Sequence, residues 1–307
     1  MTRLSPRLTL ALRAAVTLAA LALAWRISRE MAAEGPVFAR LRPVWLLPAF
    51  ALHAAILWGL GLRLRLMLGA LGAGARPGLG AMFRLHWQAL GVSQVALGTI
   101  GGDALRVALL AGPERTVPQA LRLVLVDRVI GVMGLVLLGG LALLAVLPPE
   151  AALRAGLALA GGFAAGLAVI FALAGREGRL WREPARIATL LRALVCQPLG
   201  WACLALAMLT HLASAVLYVL CAWAIGLAPP VAETLVAVPA GLLVSTIPAS
   251  LGGWGLREVS IAATYRALGS TFAGAVTVSV LYGLSHVAMA LPGLLSLWKS
   301  PRMGQGR

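Results

Sequence analysis

Ser250-Leu251-Gly252-Gly253-Trp254-Gly255-Leu256-Arg257-Glu258 follows Ile247-Pro248-Ala249 directly, inside an otherwise apolar run. A proline, three glycines, an arginine and a glutamate interrupt what would otherwise read as a membrane helix. In hydrocarbon an unpaired backbone group is costly, so irregular backbone survives only where protein or a wet cavity satisfies it. Ionisable side chains at that depth are rare and point first to function. The stretch also has an echo. Thr99-Ile100-Gly101-Gly102-Asp103-Ala104-Leu105-Arg106 aligns with Ser250 to Arg257 without a gap, with both glycines, the leucine and the arginine identical. Matching interruptions in two halves of a membrane chain are the sequence mark of a transporter's binding site.

The surrounding composition agrees. Of 307 residues, 61% are hydrophobic and only 12% charged, which is not a soluble globular profile. A bilayer core of roughly 30 Å needs about 20 apolar residues, and several runs reach that length. The expected fold is all-α: one integral membrane domain over residues 1–307, with about six full spans and two broken or re-entrant helical hairpins. The net charge of +16 lies in short loops between spans, where arginine sets orientation, so it does not call for nucleic acid as a partner. Cys196, Cys203 and Cys221 show no metal-like pairing and read as small apolar residues, with Cys196 and Cys203 spaced to share a helix face.

Taken in order, Arg3 and Arg7 precede an apolar run to Trp25, read as an uncleaved first span rather than a signal peptide. A second span runs from Pro43 to Leu62, and Arg63, Arg65 and Arg76 then mark a cytoplasmic loop. Residues 80–112 read as a re-entrant hairpin entering from the cytoplasm, with its break from Gly98 to Asp103. A long helix over 118–147 follows, stopped by Pro148-Pro149. The span 153–174 carries Gly162 and Gly166, a spacing that suits ordinary close helix packing. The arginine-rich segment 175–198 should hold an interfacial amphipathic helix. A span over 199–226 has Trp201 and Trp223 as interface anchors. The second broken segment occupies 231–267 and the last span 271–298, after which Lys299, Arg302 and Arg307 place the C-terminus inside. If each broken segment returns to its own side, units 80–147 and 231–298 have opposite orientation, as an inverted repeat requires.

The membrane-embedded charges are Asp103, Arg106, Asp127, Arg128, Arg257 and Glu258, which sum to zero. Asp103 and Arg106 are spaced to share a helix face. Asp127–Arg128 and Arg257–Glu258 are sequence neighbours, so each should find its partner on another element. One reading is a neutral ion-pair network that pins the broken helices. The other is a site for a lipid phosphate. Arg106 and Arg257 would present planar forks to its oxygens, and Gly101, Gly102, Ser250, Gly252 and Gly253 would line it with backbone donors. Asp103, Asp127, Arg128 and Glu258 would then balance charge or carry protons. His86 or His286 would either line that cavity or pack as hydrogen-bonded residues. No Gly-x-Ser-x-Gly elbow, nucleotide-binding loop or metal-ligand spacing is present, so no catalytic residue, cofactor or metal is expected.

Gly101-Gly102-Asp103-x-x-Arg106, Asp127-Arg128 and Pro248-x-Ser250-x-Gly252-Gly253-x-Gly255-x-Arg257-Glu258 resemble the flippase-like transmembrane domain of lysylphosphatidylglycerol synthases, a family with many stand-alone membrane members. The likeness covers about residue 10 to residue 298; where the family often has Glu, this chain has Asp127. The resemblance implies a flippase or translocator for an anionic, polar-headed lipid in a bacterial inner membrane, with both termini cytoplasmic. It implies neither aminoacyl transfer nor tRNA, since the soluble transfer domain of the full synthases has no counterpart here. An intramembrane lipid-modifying enzyme, or an accessory or scaffold subunit for a glycolipid, hopanoid or isoprenoid-lipid enzyme, is the alternative.

Overall fold

The computed structural model describes residue 22 and residues 41–95, 98–174, 176, 178, 181–247, 250, 253–270 and 272–297. The expected first span, Pro248, Leu251, Gly252 and the basic C-terminus lie outside the described residues. A single 3-10 turn, Pro43–Trp45, leads into α1 (Leu46–Ala70). Then come α2 (Leu79–Val95), α3 (Thr99–Leu110), α4 (Val117–Val146), α5 (Pro149–Leu173) and α6 (Arg182–Val195). The chain continues through α7 (Pro198–Ala224), α8 (Val231–Ser245), α9 (Leu256–Ala267) and α10 (Ala275–Ser296). Among the described residues the fold is all-α, and five helices (α1 with its leading turn, α4, α5, α7 and α10) are long and apolar enough to cross a membrane.

The other apolar helices are too short to do so. At 1.5 Å per residue, α2 and α3, with 17 and 12 residues, reach roughly 26 and 18 Å, against a hydrocarbon core of about 30 Å. Helices α8 and α9, with 15 and 12 residues, reach roughly 22 and 18 Å. Each pair instead folds back on itself. In the first hairpin Gly102 of α3 lies so close to α2 that a Cβ there would stand 2.8 Å from the Ala89 carbonyl oxygen. In the second, Thr234 and Tyr265 share a hydrogen bond of 2.5 Å at the open end, while Gly241 packs under Ile261 nearer the tip.

The two hairpins enter from opposite ends of the bundle. The first has its base where Ala75 N–H donates to Glu114 Oε2 at 2.5 Å and Arg115 Nη1 donates to the Ala73 carbonyl at 3.3 Å. Helix α6 lies at this same end, tied to the start of α4 by Arg122 Nη1–Glu183 Oε2 at 3.2 Å. The second has its base at the other end, where Leu227 packs against Gly274 and Arg42 N–H donates to the Ala224 carbonyl at 2.6 Å. Packing between the halves is reciprocal: α2 lies against α10, and α8 lies against α4. Trp87 Nε1 donates to the Met289 carbonyl at 2.6 Å, and a Cβ on Gly139 would sit 3.1 Å from Pro239 Cβ. The register that puts Thr99 on Ser250 also puts Gln88 on Pro239 and Gly139 on Ala290, so the two contacts fall within one residue of corresponding places. Each hairpin has its own apolar core, one around Leu64, Met67 and Leu85, the other around Tyr218, Tyr265 and Tyr282.

Several expected boundaries shift, each for a local reason. Helix α1 runs on to Ala70, so Arg63 and Arg65 are helical rather than in a loop; Arg63 is buried because it finds a carboxylate. The first break is confined to the residues just before α3, with Gly98 at φ 60°; Gly101, Gly102 and Asp103 are already helical, and Gly102 serves helix–helix approach rather than a turn. Pro149 starts α5 instead of only ending α4, since proline at a first helical position forfeits no hydrogen bond. Helix α6 buries Ala185, Ala188, Leu191 and Leu194 along one stripe, so it is amphipathic as expected. Cys196 and Cys203 do not share a helix face: Cys196 is exposed past the end of α6, Cys203 is buried in α7, and Gln197-Pro198 separates them. Gly162 and Gly166 make no close helix contact within the described chain, because α5 buries no residue and a Cβ at either would meet nothing within 4 Å.

Candidate functional site

Asp127 sits a third of the way along α4 and is 1% exposed. Two guanidiniums reach it. Arg63 Nε of α1 donates to Oδ1 at 2.8 Å, and Arg106 Nη2 of α3 donates to Oδ2. Arg106 Nη1 also reaches Asp103 Oδ1 at 3.3 Å, one helical turn back on α3, and Arg128 Nε of α4 donates to Asp103 Oδ2. The five side chains form one continuous chain of contacts, Arg63–Asp127–Arg106–Asp103–Arg128, across α1, α3 and α4. It grades from buried to part-exposed. Arg63 and Arg106 are 5% and 7% exposed, whereas the side chains of Asp103 and Arg128 are 23% and 31% exposed. Three arginines face two aspartates, so the cluster carries one positive charge in excess.

Not every donor in the cluster is used. Among the described residues, Arg63 Nη1, Arg106 Nε and His86 Nε2 are buried without a hydrogen-bond partner. His86 uses its other ring nitrogen on the Met82 carbonyl at 2.9 Å. Arg63 Nη1 lies against Gly131, where a Cβ would stand 3.4 Å away. The Gly131 carbonyl is itself engaged by His211 Nε2 at 2.9 Å.

The second cluster is built differently. Arg257, second residue of α9, donates from Nε to Glu258 Oε1 at 3.0 Å and from Nη2 to the same oxygen. It also reaches the Ser279 hydroxyl of α10 at 3.4 Å and the Ser279 carbonyl at 3.3 Å. Its guanidinium carbon lies 5.1 Å from the Trp254 ring centroid and 5.4 Å from that of Tyr282. Glu258 accepts from the Gly255 N–H at 2.5 Å and from Ser279 Oγ at 3.3 Å, so it caps α9 while neutralising Arg257. Gly283 gives the arginine its room, since a Cβ there would come within 2.2 Å of Nη2. The pair is neutral and, unlike the first cluster, has no buried guanidinium nitrogen without a partner among the described residues.

The two clusters correspond. Asp103 and Trp254 are matched positions, and each contacts the arginine three residues on, one by charge and the other through its ring face. Arg128 and Ser279 are also matched, and both lie on the span that follows their hairpin. They differ in where the carboxylate comes from: the first arginine takes Asp127 from the next span, the second takes its own neighbour. Arg257 and Glu258 therefore do not diverge onto separate elements, because at a first turn the long arginine stem folds back over the capping carboxylate. Asp127 and Arg128 do diverge, to Arg106 and Asp103 respectively.

Arg106 and Arg257 belong to different hairpins. Helix α3 packs on α2 and α4, α9 packs on α8 and α10, and no hydrogen bond or ion pair joins the two clusters among the described residues. The glycines serve the backbone. Gly253 and Gly255 hold φ of 80° and 82°, a region costly for any residue with a side chain, and Gly253 lies against Ser245. The Gly101 and Gly102 N–H groups both donate to the Gly98 carbonyl, at 3.0 and 3.4 Å, so they are spent within α3. The Ser250 hydroxyl is buried without a partner among the described residues. His286 packs against His53 in a tilted pair with ring centroids 4.2 Å apart and bonds the Tyr282 carbonyl through Nδ1. Arg63 is the residue that sequence reasoning missed. Its signal was the run Leu62-Arg63-Leu64-Arg65-Leu66-Met67-Leu68, whose apolar residues continue a helix straight through the arginines.

A family model described as the lysylphosphatidylglycerol synthase TM region matches residues 10–293. No curated protein and no solved structure matches the chain.

Proposed function

Because the chain belongs to the lysylphosphatidylglycerol synthase TM-region family, we propose that this multi-pass membrane protein is a translocator that binds and moves a lipid with an anionic, polar headgroup. The observation that carries the proposal is the pair of buried arginine clusters on two short hairpins that enter the bundle from opposite ends. Charged groups at membrane depth cost about 2.5–3.5 kcal/mol each even on the mildest scale, and a scaffold needing only stiffness would use apolar packing instead. Arginine's planar fork matches phosphate, which makes a lipid phosphodiester the natural counterpart.

In this reading the hairpins are the mobile gates. Residues 80–147 and 231–298 form inverted repeat units, and the reciprocal packing of α2 on α10 and α8 on α4 supports that assignment. Alternating exposure of a headgroup site to the two ends would follow from rocking one unit against the other. The end that carries the first hairpin's base and α6 gathers Arg65, Arg76, Arg115, Arg122, Arg182, Arg186 and Arg192, which supports a cytoplasmic assignment for that end in a bacterial inner membrane. Asp103, Asp127, Arg128 and Glu258 hold the binding arginines in place and balance their charge.

The test is a vesicle assay. Purified protein is reconstituted with a headgroup-labelled phosphatidylglycerol in the inner leaflet, and its arrival outside is read by a membrane-impermeant quencher. The protein should speed arrival over empty vesicles, and Arg106→Gln should abolish that gain while retaining a folded elution profile. A folded Arg106→Gln variant that moves lipid at the rate of the unmodified protein would refute the proposal.

A further inference from the structure

Helix α5 belongs to neither repeat unit, yet it has a place in their symmetry. It lies on α4, the closing span of the first unit. A Cβ on Gly140 of α4 would stand 2.6 Å from Leu159 Cδ2 of α5, and a Cβ on Gly156 of α5 would stand 3.6 Å from Leu144 Cδ2 of α4. The register that puts Thr99 on Ser250 carries Gly140 to Leu291 and Leu144 to Leu295 of α10, the closing span of the second unit. No described helix covers those two positions. Leu284, Ala288, Leu291 and Leu295 form an exposed apolar stripe at helical spacing along α10, with Leu291 and Leu295 at 54% and 64% exposure.

The sequence supplies a counterpart for α5. Ala11-Leu12-Arg13-Ala14-Ala15-Val16-Thr17-Leu18-Ala19-Ala20 aligns without a gap with Ala152-Leu153-Arg154-Ala155-Gly156-Leu157-Ala158-Leu159-Ala160-Gly161, identical at six of ten positions, the arginine among them. The order of elements agrees: α5, α6 and α7 precede the second hairpin as residues 8–25, a linker and α1 precede the first. The chain also arrives at the right place. Arg42, just before α1, donates its N–H to the Ala224 carbonyl at 2.6 Å, at the end of the bundle where Leu227 packs on Gly274 at the start of α10. Helices α1 and α10 both start from that end, so a span running antiparallel to α1 is antiparallel to α10 as well, as α5 is to α4.

We propose that the exposed stripe of α10 is the docking face for residues 8–25 of the same chain, which sit on α10 as α5 sits on α4. Leu18, matched to Leu159, then meets Leu291, and Ala15, matched to Gly156, meets Leu295. Leu291 stands where α4 has Gly140, so this pair of axes lies further apart than the α4–α5 pair, toward the upper part of the usual range of about 8–10 Å. Each repeat is thereby complete: a peripheral span, a linker, an inner span, a hairpin and a closing span. The proposal rests on the inverted-repeat part of the reading above and on no property of the cargo.

The test is disulfide cross-linking of the full chain in nanodiscs, with Cys196, Cys203 and Cys221 replaced by alanine. A protease site inserted into residues 26–40 lets a bridge hold the two cut fragments together on a non-reducing gel. A disulfide needs Cα atoms about 4.4–6.8 Å apart. Leu18→Cys with Leu291→Cys, and Ala15→Cys with Leu295→Cys, should bridge in most chains under mild oxidation. Leu18→Cys with Leu209→Cys, on an exposed face of α7, should stay open. A membrane-soluble maleimide should also label a lone Leu291→Cys several times more slowly than a lone Leu209→Cys. Bridging to position 209 as readily as to 291, or equal labelling of the two lone thiols, gives the stripe to lipid and overturns the proposal. Bridges formed only between chains, seen as a band of twice the mass before cutting, give it to a second copy and overturn it too. None of these readouts involves lipid movement. A failed vesicle assay therefore leaves this placement standing, and failed bridging leaves translocation standing.

Discussion

Asp127→Asn is the perturbation that asks most of the structure. The substitution keeps shape and volume and removes one charge from a residue 1% exposed. Arg63 and Arg106 are then left facing each other with no counterion between them, and the amide cannot accept from both as the carboxylate did. Removing one partner of a buried ion pair costs about 3–5 kcal/mol. Folded proteins typically hold only about 5–15 kcal/mol in total, so the loss is a large share of stability. The assay is thermal unfolding in a neutral detergent, followed by the fluorescence of the chain's nine tryptophans. Adding Arg63→Gln to Asp127→Asn removes one of the two stranded cations, so the double variant should recover part of the loss, with a coupling of about 0.5–3 kcal/mol. The reasoning fails if Asp127→Asn unfolds within about 0.5 kcal/mol of the unmodified protein, as a surface change would, or if the double variant is merely the sum of two losses.

Other predictions test the packing around the clusters. Gly283→Ala places a methyl group within 2.2 Å of Arg257 Nη2, and overpacking of that kind costs about 1–3 kcal/mol. It should destabilise the second hairpin, read as a lower unfolding temperature. Gly293→Ala drives a methyl group to 2.3 Å from the Trp87 carbonyl oxygen, so α2 and α10 must part and the Trp87 Nε1 bond to Met289 must stretch. A red shift in tryptophan emission, absent in a Trp87→Phe background, reports it. Cys196 is exposed while Cys203 and Cys221 are buried, so a maleimide should modify one thiol in the folded protein and three only after unfolding.

The architecture was legible because the membrane writes it in large letters. Apolar runs, proline stops and arginine-rich turns mark α4, α5, α7 and α10 to within a few residues, and the repeated Gly-Gly-x-x-Leu-Arg spacing marks both hairpins. The Asp103–Arg106 contact followed from helix geometry alone. Other features depend on tertiary contacts that spacing does not encode. Arg63 reads as a loop cation until Asp127 of a distant helix makes its burial tolerable. Arg257 and Glu258 read as diverging until the capping role of Glu258 turns its carboxylate back toward the guanidinium. The likeness of the two arginine motifs suggested one headgroup site drawing on both, but spacing did not show that their surroundings differ. Asp127 answers Arg106 from the neighbouring span, and the position aligned with Asp103 is Trp254.

The most direct measurement is a density map of the protein in phosphatidylglycerol nanodiscs. The account predicts a phosphate-sized feature within hydrogen-bond reach of the Arg106 guanidinium, with the lipid's glycerol beyond it. A map with protein side chains filling that position, and lipid headgroups only at the bundle's outer surface, would contradict it.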